Sequence, residues 1–201
     1  MKFSSFAAVA ATLAATAVAQ PASSATSQPS GTSAPSSTPG PETFGIVAIA
    51  SGEAVQYSGF NAALGSLFAG LPSQNASCKG TDDGFATFYI KDKALYLYGS
   101  EDATQEFYVD RSGMGQGKIG YTTGDASSGP RNGERTGWAI DKNNHLQFAG
   151  NDFLACPNSV DGAYSIWAPS GVAQPAGNEG CIGIAARVVK SDHPVACTYS
   201  S

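Results

Sequence analysis

The chain has 201 residues, a net charge of −5 and a pI near 4.8, an acidic balance that argues against nucleic acid or an anionic membrane as a partner. Charged residues are 13% of it, about half the usual share of a soluble domain, while glycine is abundant at 24. Few charges with many Gly, Ser, Thr and aromatic residues suit an extracellular β protein kept soluble by glycans.

The N-terminus reads as an address. Lys2 precedes an Ala-rich apolar run over residues 6–18, and Ala17-Val18-Ala19 matches a small-x-small cleavage site. Residues 1–19 are therefore expected to be a secretory signal peptide, since the run is too short and too weakly apolar to span a membrane. Residues 20–42 hold ten Ser/Thr, five Pro and no large apolar side chain. Such a segment buries too little surface to offset its ordering entropy, so it is expected to be a disordered, O-glycosylated stalk. The closing VACTYSS carries no hydrophobic tail of the GPI type, and no membrane anchor is expected. That leaves 43–201 as one domain.

Within it the first expected hairpin covers 43–57, with Ser51-Gly52 at its turn. Residues 64–71 suggest a short strand, and 60–67 hold one helical turn at most. Asn75-Ala76-Ser77 is an N-glycosylation sequon in a polar loop. A second hairpin over 85–98 alternates Phe88, Ile90, Leu95 and Leu97 inward with Tyr89, Tyr96 and Tyr98 outward. Strands follow at 106–110 and 118–122, then a loop of turn chemistry over 123–134. The third hairpin sets Trp138 and Ile140 against Leu146 and Phe148 around a polar turn. Strands are expected again at 152–156, 163–168 and 181–189.

The three hairpins echo one another, with Ile49, Ile90 and Ile140 spaced 41 and 50 apart, which predicts three similar β units. The expected fold is all-β, a β-trefoil-like closed barrel of about twelve short strands, with a β-sandwich as the alternative.

The four cysteines, Cys78, Cys156, Cys181 and Cys197, stand behind a signal peptide, so two disulfides are expected. Three connectivities are open. The nested one, Cys156–Cys181 within Cys78–Cys197, is favoured because it ties the end of the domain to its middle. Metal binding is disfavoured: there is no CxxC, and His145 and His193 stand at unrelated spacings. No cofactor is expected. GxSxG and HExxH are absent. Asp82-Asp83, Glu101-Asp102, Asp110, Asp125 and Asp152 sit where Asp bonds to nearby backbone, so they read as turn residues. Tyr89, Tyr96, Tyr98 and Trp167 are candidates for stacking on sugar rings, although Tyr and Trp also simply favour strands.

The run GWAIDKNNHLQFAG-NDFLACP, then AYSIWAP, then Cys181, resembles the C-terminal domain of fungal Pir-type cell wall mannoproteins. The chain is still more similar to the PhiA type of filamentous-fungal cell wall protein, which shares the opening Thr43-Phe44-Gly45, the F-x-A-C-P box at 153–157 and the closing Cys181-Ile182-Gly183. The resemblance covers roughly 43–189. It implies a secreted, non-enzymatic structural glycoprotein of the wall, linked to phialide and conidium formation, with wall polysaccharide or other wall glycoproteins as partners. The Gln-rich repeats that link Pir proteins to glucan are missing here. Attachment is then expected through cysteine bridging or non-covalent glycan contact. The alternative is a soluble lectin-like or protease-inhibitor β-trefoil module.

Overall fold

A computed structural model describes residues 40–99, 103–125 and 128–201. The expected signal peptide, the stalk up to residue 39 and the Glu101-Asp102 pair lie outside the described residues. In chain order the strands are β1 (Thr43–Ile49), β2 (Phe60–Ala63), β3 (Ser66–Ala69), β4 (Ser77–Cys78), β5 (Phe88–Lys91), β6 (Ala94–Leu97), β7 (Gln105–Asp110), β8 (Lys118–Thr123), β9 (Gly133–Glu134), β10 (Trp138–Ile140), β11 (His145–Phe148), β12 (Phe153–Cys156), β13 (Tyr164–Trp167), β14 (Ile182–Lys190) and β15 (Cys197–Thr198). The alternation that predicts them is also what buries them: in β7 every second residue of QEFYVD is buried.

Nine strands close into a ring in the order β1, β5, β6, β7, β8, β3, β13, β12, β14, because β14 pairs back onto β1 from Phe44↔Lys190 to Ile49↔Ala185. All its pairings are antiparallel. Nine strands cannot alternate in direction around a closed ring, and one seam absorbs the conflict. There β8 and β13 pair directly at Lys118↔Trp167, while β3 is wedged beside that contact, pairing β8 at Ser66↔Gly120 and β13 at Phe68↔Ser165. The remaining eight strands alternate without exception. The seam is tight: a Cβ on Gly117 (φ +93°) would lie 1.9 Å from the Ala168 carbonyl oxygen, so only glycine fits. Closure also removes the exposed edges that an open sheet of this size would present.

The expectation of an all-β closed structure holds, but that of a twelve-stranded trefoil does not. Fifteen strands are present among the described residues, and the three echoing segments play three different parts. Only the second and third are hairpins, β5–β6 inside the ring and β10–β11 attached outside it on β14. In the first, residues 55–57 form turn and not strand. The Tyr57 N–H bonds to the Ala48 carbonyl at 2.9 Å and Tyr57 adopts φ +65°. The return partner of β1 is β14, far along the chain. Residues 60–67 form the β2–β3 hairpin instead of a helical turn. Leu64 and Gly65 both have positive φ, as a tight two-residue hairpin turn requires.

The core is threaded by aromatic rings. Phe44, Phe88, Phe107, Trp138 and Phe153 follow one another with centroids 5.8–6.2 Å apart, and Phe148 meets Trp138 edge-on at 5.0 Å. The C-terminal tail is docked by a buried glutamine. The Gln105 side chain accepts from the Tyr199 N–H at 2.9 Å and donates to the Tyr199 carbonyl at 2.8 Å, imitating a strand partner where none is available. The Tyr199 hydroxyl accepts the Thr87 N–H at 3.1 Å.

Burial, with the Asp82 and Asp83 carboxylates adding to it against the Thr87 bond, pushes the Tyr199 phenol from 10.0 to about 12. A folded value above the unfolded one means that the folded state favours the protonated phenol. The resulting stability, about 2–3 kcal/mol, is fully present below pH 10 and is lost as pH rises toward about 12. Alkaline unfolding curves are therefore expected to flatten over that window in Tyr199→Phe relative to the parent. An unchanged slope would mean that the phenol does not couple to folding.

Candidate functional site

The two disulfides are Cys78–Cys197 and Cys156–Cys181, spanning 119 and 25 residues. The first joins the short sheet β4–β15 in register, Cys197↔Cys78, and so fastens the tail that Gln105 also holds. The second ties the end of β12 to the residue before β14. No cysteine is left free. Asn75 is exposed at φ +49°, with its Oδ1 accepting from Ser73 Oγ at 3.2 Å.

The sequence-nominated aromatics divide into two groups. Tyr89 and Tyr96 are cross-strand partners on the outer face of β5–β6, stacked at 5.1 Å and 15°. Tyr98, next on that face, is half-buried. Tyr96 stands opposite Glu106 on β7, which forms a 3.4 Å ion pair with Arg135. Burial and then the Glu106 charge raise the Tyr89 and Tyr96 phenols above their ordinary value. Both hydroxyls therefore stay neutral, as donors and acceptors. Trp167 belongs elsewhere. It is 8% exposed at the β8–β13 seam, its Nε1–H bonds to Ser165 Oγ at 2.9 Å, and Lys118 Nζ lies 5.6 Å from its ring centroid. Burial lowers the Lys118 pKa. The indole face is thus covered by this chain's own cation.

The carboxylates act locally. Asp82 accepts from the Gly84 N–H and from Gln74 Nε2, Asp83 from the Phe85 N–H, and Asp110 from the Ser112 N–H. Asp141 accepts from the N–H groups of His145 and Asn143, and the His145 bond first of all holds its carboxyl below the ordinary range. Asp152 accepts from Gln147 Nε2. These are turn-closing roles. Among the described residues no group of three His, Cys, Asp or Glu is placed to hold a metal ion, and no helix is long and apolar enough to cross a membrane.

The most ligand-ready feature is one that alternation does not reveal. Tyr57 and Phe85 are 73% and 51% exposed, the two aromatic rings among the strongly exposed large apolar side chains of the described residues. Both line one cleft of about 330 Å³, floored by glycine-containing strand backbone and joined by Val189, which is 49% exposed. One edge of the Phe85 ring closes on Gly59, where a Cβ would come within 2.2 Å of it. The turn residues Asp82-Asp83-Gly84 ahead of Phe85 were the available sequence signal that it sits outside a strand.

The family model for PhiA-like secreted proteins matches residues 44–200. The cell wall protein phiA of Emericella nidulans is 76% identical over 161 residues, covering 80% of this chain and 88% of that protein. Its namesake in Aspergillus niger is 64% identical over 160 residues, covering 80% and 86%. The Arthroderma benhamiae protein of the same name is 40% identical over 173 residues, covering 81% and 90%. No solved structure matches the chain.

Proposed function

The chain belongs to the family of PhiA-like secreted proteins, and from that premise we propose that it is a non-enzymatic structural glycoprotein of the fungal cell wall, retained there by non-covalent contact with wall polysaccharide. The observation that carries the mode of retention is the pairing of all four cysteines within the chain. With every thiol of the folded domain already paired, a bridge to a neighbouring wall protein would have to open one of these two disulfides by exchange, and non-covalent retention needs no such step. The local backbone bonds of the Asp side chains favour a structural over a catalytic reading. Residues 1–19 act as the signal peptide and 20–42 as the glycosylated stalk in this account, with an N-glycan on the exposed Asn75. A part in phialide and conidium development is carried over from the resemblance to PhiA-type proteins.

Sequential extraction of isolated walls tests this reading. The protein is expected to leave the wall with hot detergent or chaotrope alone. Release only by reductant, mild alkali or glucanase would establish a covalent link instead, and recovery only from the cytosol would end the proposal altogether.

A further inference from the structure

The cleft between Tyr57 and Phe85 combines three features that packing does not explain. First, Tyr57 stands in the left-handed region at φ +65°, which a β-carbon-bearing residue enters only when surrounding bonds impose it. Its own N–H is bound to Ala48 at 2.9 Å and that of Ser58 to Val55 at 3.0 Å. The ring so positioned is 73% exposed and gains little burial in return. Second, Phe85, which lines the same cleft, is fixed by the Asp83 carboxylate on its N–H and by the buried Gln74 amide on its carbonyl. Third, the cleft lining includes Asp83, Ser191 and Lys190, the last 3.6 Å from Glu42, which together supply acceptors and donors. Apolar ring faces with hydroxyl-binding groups at their edge fit a ligand that is apolar on its faces and polar around its circumference.

We propose that this cleft binds a neutral polysaccharide of all-equatorial pyranose rings, a β-glucan or chitin, with the C–H faces of the sugar stacked on Tyr57 and Phe85. All-equatorial substitution leaves both faces of the ring flat and apolar, whereas the axial hydroxyl of a mannan interrupts one of them, so a ring can no longer stack through either face. The inference rests on the wall-retention reading and names its site. The Tyr89–Tyr96 pair is a weaker platform, because its two rings are stacked on each other.

The full secreted protein is mixed with particles of insoluble β-1,3-glucan, chitin or mannan, and the bound fraction is measured by sedimentation. Binding to glucan, to chitin or to both is expected, with none to mannan. Phe85→Ala and Tyr57→Gly are each expected to weaken it about tenfold. Tyr57→Gly carries a second readout. It relieves the left-handed backbone, so the thermal midpoint is expected to hold or rise while binding falls. Loss of binding together with loss of stability would indicate a merely structural tyrosine and overturn the proposal. Equal binding by the parent and both variants would do the same, as would a self-associated dimer that Tyr57→Gly dissolves, which would give the cleft to a second copy. The same variants are then expressed in the fungus. If the parent stays in the wall and the variants pass into the medium, the site is upheld. If all of them stay in the wall, the cleft fails while wall retention stands, and if all appear in the medium, the retention reading itself fails.

Discussion

Replacing Cys78 by Ser is expected to lower the thermal midpoint by roughly 10–15 °C, more than any other single cysteine replacement except that of its partner. The bridge to Cys197 closes a loop of 119 residues, against 25 for Cys156–Cys181. Loop-closure entropy grows with the logarithm of that length, giving about 5 kcal/mol for the long loop and about 3.5 kcal/mol for the short one. The long bridge also has local work to do, since it holds β4 against β15 next to the Gln105 clasp on Tyr199. Cys181→Ser is accordingly expected to cost roughly 6–10 °C. Calorimetry of the two serine variants under non-reducing conditions checks the order. Equal shifts, or the larger shift in Cys181→Ser, would show that loop length does not set the stabilisation here.

The second large effect lies in the core. Trp138 is 1% exposed and touches Phe107, Phe148 and Phe153, so it is the common neighbour of rings from β7, β11 and β12. Trp138→Ala leaves a cavity that these rings cannot fill by rotating in place, and a loss of about 3–5 kcal/mol is expected. Trp138→Phe should be far milder, about 1–2 kcal/mol, because the indole N–H is buried without a hydrogen-bond partner and its removal forfeits no bond. Denaturant titration of the two variants separates the terms. Similar losses in both would mean that the volume of the cavity left behind does not set the cost.

How far the sequence carried depended on the range of the interaction. Alternation located β5–β6 and β10–β11 together with the inner and outer faces of the former, since a hairpin's register is set by residues a few positions apart. The same reasoning misread the first unit. Val55-Gln56-Tyr57 alternates like a strand, yet Val55 is buried from a turn, and Tyr57 leaves the core through a left-handed backbone that periodicity does not register. The closing ladder β1–β14 was equally hidden. Its partners, Phe44 and Lys190 at one end, are far apart in sequence and neither carries a mark of the other. Hence a true closed sheet was expected with the wrong symmetry. The site shows the same division. The outward tyrosines of β5 and β6 were legible from alternation. Trp167 was not legible as covered, because the Lys118 that covers it comes from another strand, and the Tyr57–Phe85 cleft needs two segments that only the folded chain brings together.

The β1–β14 ladder also dictates when this protein becomes a folded object. Its first strand leaves the ribosome early but pairs over its length only with a strand completed at Lys190, and the long disulfide waits for Cys197. Until nearly the whole chain has been translated, β1 has only its bonds to the nearby residues 57–59 and one short pairing with β5, at Thr43↔Tyr89 and Phe44↔Phe88, and no closed sheet to join. Such a topology folds late and slowly, because distant ends must meet before the ring gains its cooperative stability. For a member of a secreted family such a delay would keep the nascent polypeptide threadable through a translocation channel, with the bridged form reached only in an oxidising compartment, where thiols can pair.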